Sequence, residues 1–94
     1  MASGDEELYQ LILERFKRGM LESKHYERLR TFLKDDNYSP RPDDSEIWNT
    51  MGNTFFKERD LIHALQCYEN AIEIDHNNED ARYNRELTLN VLNR

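Results

Sequence analysis

The chain has 94 residues, which is room for one small domain with a modest core. Its 37% hydrophobic and 34% charged residues suit short amphipathic helices with much exposed surface, and the aromatic residues fall on helical stripes, which excludes disorder throughout. Thirteen Lys and Arg against nineteen Asp and Glu leave a net charge of -6, which opposes non-specific binding to phosphate backbones or anionic lipid, so neither nucleic acid nor membrane is an expected partner.

Ser3-x-x-Glu6 reads as a capping box, and Asp5, Glu6 and Glu7 sit where the helix dipole favours negative charge. A first helix is predicted to run to about Arg18, with Leu8, Leu11, Ile12 and Phe16 as its apolar stripe and Gly19 as its stop. Ser23 is the predicted cap of a second helix whose stripe is Tyr26, Leu29, Phe32 and Leu33. Together, residues 3–36 form a predicted hairpin. The basic residues around it (Arg15, Lys17, Arg18, Lys24, Arg28, Arg30 and Lys34) are interspersed with Glu14, Glu22 and Glu27, the pattern of a solvated surface with local ion pairs.

Residues 37–44 hold both prolines and read as a linker, since each proline biases its predecessor away from the helical region. Asp43-x-x-Glu46 then offers a capping box for a helix carrying Trp48, Met51, Gly52 and Phe55 at i, i+3, i+4 and i+7. Asp60 can cap the following helix, predicted to reach about Asp75, whose facing stripe includes Leu61, Ala64, Leu65, Tyr68, Ala71 and Ile72. Gly52 and Ala64 lack the bulk that holds helix axes apart, while Trp48, Phe55 and Tyr68 fill the gaps beside them. A last helix, from about Glu79 to Asn93, presents Ala81, Asn84, Leu87 or Thr88, and Val91 on one face.

The spacing of Trp48, Met51, Gly52, Phe55, Ala64, Tyr68 and Ala71 resembles the tetratricopeptide repeat, a 34-residue helix-turn-helix unit, with one full repeat at 45–78 and a capping helix at 79–94. The family usually has proline shortly after its second helix, where this chain has His76. The resemblance implies an all-α fold of about five helices in one domain over 1–94, with helical hairpins stacked as a short right-handed solenoid. Within that fold the hairpin at 3–36 reads as either a divergent repeat or an N-terminal cap. Where a further repeat would carry Trp, Leu and Gly, this chain has Arg82, Arg85 and Glu86, which suit water and make the last helix a solvating end.

The implied function is a non-enzymatic protein–protein interaction module, an adaptor or co-chaperone-like scaffold that takes a peptide or helix in a concave groove between the hairpin and the repeat. The first helix of each pair lines that face, so Asn49, Asn53, Phe56, Lys57, Tyr83 and Asn84 are the candidate groove residues. Some relatives clamp acidic C-terminal tails with asparagines and basic residues. Asn53 and Asn84 fall on the two asparagine positions, but Asn49 replaces the first lysine and the later basic residues are missing. Asparagine is frequent at these two positions of the family, so the first reading of Asn53 and Asn84 is structural, bonding to the neighbouring helix backbone, and ligand contact is the second; on the second, Asn53→Ala leaves folding nearly unchanged and weakens a bound peptide. A homo-oligomer that buries the exposed ends of a short array is the alternative, as is a fragment of a longer repeat protein.

No catalytic motif or cofactor is visible: there is no GxSxG turn or phosphate loop, and the acid pairs Asp35-Asp36 and Asp43-Asp44 flank turns. His63 and Cys67 stand at i, i+4, but two ligands without a CxxC or HExxH partner set do not make a metal site. The lone cysteine forbids an internal disulfide, and the opening residues lack the charge and apolar run of a secretory signal, so the expected location is the cytoplasm.

Overall fold

The structure, a computed structural model, describes residues 2–34, 39, 41 and 43–94, without the side chains of 2–5, 33 and 34. Predictions resting on the Ser3 side chain, Leu33, Asp35-Asp36 and the two prolines lie outside the described residues. All described regular structure is helical: α1 (Ala2–Lys17), a 3-10 turn (Ser23–His25), α2 (Tyr26–Lys34), α3 (Asp44–Lys57), α4 (Leu61–Ile74) and α5 (Glu79–Leu92). The all-α reading of the sequence therefore holds. The chain divides into two compact units, Met1–Ser39 and Pro40–Arg94.

In the first unit, α1 ends where Gly19 takes φ 68. Gly19 N–H donates to Phe16 C=O and Met20 N–H to Arg15 C=O, the paired bonds that close a helix through a left-handed residue. Among the described side chains of α1, Tyr9 and Ile12 are buried, Leu8 and Phe16 are half-buried and Leu11 is 40% exposed, so the apolar face keeps three members of the predicted stripe and takes Tyr9 in place of Leu11. Tyr9 meets Phe32 of α2 edge to face, with ring centroids 5.9 Å apart. The helical turn before α2 is capped by Glu22 rather than Ser23: the Glu22 carboxylate accepts from the His25 backbone, and the Glu22 N–H donates to His25 Nδ1 at 3.1 Å. The expected local ion pairs are present as Arg18–Glu14, Lys24–Glu22 and Arg30–Glu27, all largely exposed.

In the second unit, α3 packs along α4, α4 along α5, and α5 also touches α3. Trp48, Met51, Phe55, Ala64, Tyr68 and Ala71 are all buried, as the spacing predicts. Gly52 shows why the axes come so close: a Cβ there would lie 2.5 Å from Tyr68 Cε1. The ring lies on the glycine itself.

Between α3 and α4 the chain reverses through Arg59 at φ 67, with Arg59 N–H on Phe56 C=O and Asp60 N–H on Phe55 C=O. Asp60 caps α4 as expected, accepting from His63 N–H at 3.2 Å. The capping box expected at Asp43 does not form. Asp44 is instead buried, and its carboxylate accepts from Arg41 N–H, while Glu46 accepts from Asn78 Nδ2 at 2.7 Å.

Asn78 joins the three helices. Its Oδ1 caps α5 at Ala81 N–H, and its Nδ2 donates to Ser45 Oγ at 2.8 Å. The Ser45 hydroxyl donates in turn to Ala71 C=O of α4 at 2.7 Å. These polar groups are buried yet matched, which removes the penalty of desolvating them.

Candidate functional site

Asn49 and Asn53 lie one turn apart on α3, and α5 brings Asn84 across to both. Asn84 Nδ2 donates to Asn49 Oδ1 at 3.0 Å and to Asn53 Oδ1 at 3.3 Å. The Tyr68 hydroxyl of α4 donates to the same Asn53 Oδ1 at 2.7 Å. Burial pushes the Tyr68 phenol up to about 12, helped by Cys67 beside it, so this donor keeps its proton at neutral pH. One asparagine thus receives bonds from both neighbouring helices.

The structure brings three of the six candidate residues into one hydrogen-bonded cluster. Asn49, expected to be exposed, is 6% exposed because Asn84 bonds to it. Asn53 is tied to the neighbouring helices as the structural reading has it, through the Tyr68 and Asn84 side chains rather than through helix backbone. Phe56 is half-buried and Lys57 exposed further along α3, and Tyr83 is 68% exposed on α5. Thr88, rather than Leu87, takes the inward position of α5, its hydroxyl donating to Asn84 C=O at 2.7 Å.

The remaining polar chemistry lies elsewhere. His63 Nδ1 lies 2.8 Å from Asp60 Oδ2, and its ring stacks on Phe55 at 5.0 Å, while Cys67 is fully buried and its thiol is pushed well up by that burial. An open cleft of about 610 Å³ between α4 and α5 is lined by Glu69, Ile72, Glu73, His76, Arg82, Arg85 and Glu86. It contains none of the candidate groove residues. Arg85 reaches Glu69 across it at 3.4 Å, so its charges are partly matched within the protein. Sequence reasoning marked Arg82, Arg85 and Glu86 as solvated positions but missed the cleft, because nothing in α4 alone announces it.

The sequence model of the tetratricopeptide repeat family matches residues 45–78. Residues 45–78 are a tetratricopeptide repeat. Its first and last residues, Ser45 and Asn78, are the pair bonded to each other in the buried network. Neither the curated proteins nor the solved structures give a match. Tetratricopeptide repeats are typically non-enzymatic units of protein–protein interaction. Among the described residues, no helix is long and apolar enough to cross a membrane.

Proposed function

We propose that this protein is a non-enzymatic adaptor whose repeat and following helix hold a partner's peptide or helix on the face shared by α3 and α5. The observation that carries this reading is the asparagine cluster: Asn49, Asn53 and Asn84 come together from the first helix of the repeat and the helix after it. Phe56, Lys57 and Tyr83 extend the face, an aromatic and cationic surround for an extended chain. A single repeat offers little area, so the affinity expected is modest. The cytoplasm, where a lone buried thiol stays reduced, is the setting of the same proposal.

Panning a displayed peptide library against the full chain tests it. Selected peptides should lose affinity for Tyr83→Ala, a change at an exposed position that spares the core. Peptides that tolerate Tyr83→Ala but are lost on Glu69→Lys would move the site to the α4–α5 cleft and overturn the reading.

A second reading, self-association through α5, is favoured by the exposure of Leu87 and Leu92 on that helix. Sedimentation equilibrium separates the two: a monomer at high concentration removes self-association.

A further inference from the structure

A capping box is ordinarily closed by a glutamate or glutamine at its last position, whose side-chain oxygen accepts the N–H of the cap residue. The turn before α2 puts a titratable ring there instead. His25 is 4% exposed, and its Nδ1 lies 3.1 Å from the Glu22 backbone nitrogen and 3.2 Å from the Glu22 carbonyl oxygen. One ring nitrogen thus faces a donor and an acceptor of the same residue.

It cannot serve both at once. A neutral imidazole accepts at one nitrogen and donates at the other, so the ring that takes the Glu22 N–H on Nδ1 carries its proton on Nε2. An imidazolium donates at both nitrogens, has no lone pair for the Glu22 N–H, and turns its Nδ1–H onto the Glu22 C=O. That carbonyl has room, since it accepts the His25 N–H at 3.0 Å with one lone pair and keeps another. Protonation therefore exchanges one bond for the other with the ring in place, and the group set loose is the Glu22 N–H. Glu22 is exposed, so water can take that N–H.

Among the described residues, the charged groups that act on the ring are Arg15 of α1 and Glu22 and Lys24 of the turn, with none from α2. Two cations face one carboxylate, and that carboxylate is itself 3.2 Å from Lys24 Nζ. With burial as the larger cause, this surround keeps the ring neutral at neutral pH and the box closed.

We propose that the Glu22–His25 box is an acid-operated latch on the turn that joins α1 to α2, closed while Nδ1 accepts the Glu22 N–H and opened when a proton on Nδ1 hands the ring to the Glu22 C=O. The latch belongs to the first unit and needs nothing from the α3–α5 face. Opening frees the cap of the turn, while the Gly19 closure of α1 is made of backbone groups and has no titratable part.

Amide hydrogen exchange and ring titration on the full ¹⁵N-labelled chain test it, taken from about pH 7.5 down through the titration of the His25 ring signals. At the upper end the ring nitrogens should show the Nε2–H form. Corrected for the intrinsic pH dependence of exchange, the Glu22 N–H should lose protection by roughly five- to tenfold in step with the ring, the weight of one net hydrogen bond. The Met20 N–H, bonded to Arg15 C=O, should lose clearly less. His25→Gln, whose side-chain oxygen accepts but does not titrate, should hold the Glu22 N–H equally at both ends of the range. An Nδ1–H ring at the upper end overturns the latch, and so does Glu22 protection that stays constant while the ring titrates. Equal loss at Glu22 and Met20 overturns it too, because acid would then be opening the whole unit. Should His25→Gln fail to fold, the ring form and exchange profile of the wild type decide alone.

Discussion

The two units of the chain are both built from helices joined by short turns, but they are specified by different balances of interaction. In Met1–Ser39 the described devices are mostly local, the left-handed Gly19 and the Glu22–His25 capping pair, with the edge-on contact of Tyr9 and Phe32 as a long-range one. In Pro40–Arg94 local devices, the left-handed Arg59 and the Asp60 cap, are joined by a larger set of long-range ones: Tyr68 lies against Gly52, Asn78 holds Ser45, and Asn84 holds Asn49 and Asn53, each joining residues far apart in sequence. Local devices fix where the chain reverses. Long-range ones fix how closely the helices approach and which side chains they bring together, so it is in the second unit that a built surface arises.

Changes at the long-range contacts should therefore cost most. Gly52→Leu puts bulk where even a Cβ would overlap the fully buried Tyr68 ring, and it should destabilise the second unit by roughly 1–3 kcal/mol or more. Urea unfolding followed by the fluorescence of buried Trp48 reads this directly. An unchanged midpoint would mean that the helices do not meet at Gly52. Asn78→Ala removes a helix cap, the buried bond to Ser45 and the part-buried bond to Glu46 together and should cost about 1–3 kcal/mol in the same assay.

Local devices should give smaller effects. Arg59 pays the steric penalty of a left-handed residue with a side chain, so Arg59→Gly should raise stability by about 0.5–1 kcal/mol, part of the gain being offset by glycine's freedom in the unfolded chain. A loss of stability would show that the Arg59 side chain contributes more than its backbone costs.

The smallest effect concerns His25. Its burial lowers the pKa, against the pull of the Glu22 backbone bond and carboxylate and with the help of Arg15 and Lys24. The folded unit therefore prefers the neutral ring, and the unfolded chain binds more protons near the ordinary value of 6.5. Stability should be full above that value and decline as pH falls through the lowered one. Melting of the wild type between about pH 7.5 and about pH 5 should show the decline. His25→Asn should reduce it, and an equal decline in that variant would place the sensitivity in other groups.

What was legible in the sequence follows the same division. The packing set from Trp48 to Ala71 was readable because small and large residues at fixed helical spacing have one good solution, and every member is buried. Asp60 was readable as a cap because the bond it makes is local. The Asp43 box failed where long-range packing intervened: Glu46 is drawn to Asn78, thirty-two positions away, while the neighbouring Asp44 takes the Arg41 N–H. On α1 the stripe was right at Ile12, with Leu8 and Phe16 half-buried, and wrong at Leu11, which is exposed where Tyr9, with an aromatic partner in Phe32, turns inward. Asn49, Asn53 and Asn84 could be singled out from the sequence, but not their bonds to one another. That three asparagines would join one another is a consequence of where α5 lands on α3, which no single helix encodes.

The most direct measurement is the binding footprint of a random hexapeptide mixture on the full ¹⁵N-labelled chain. Signals of Asn49, Asn53, Tyr83 and Asn84 should move together, tracing the α3–α5 face. Movement confined to Glu69, Glu73, Arg82 and Glu86 would place recognition in the α4–α5 cleft and contradict the account.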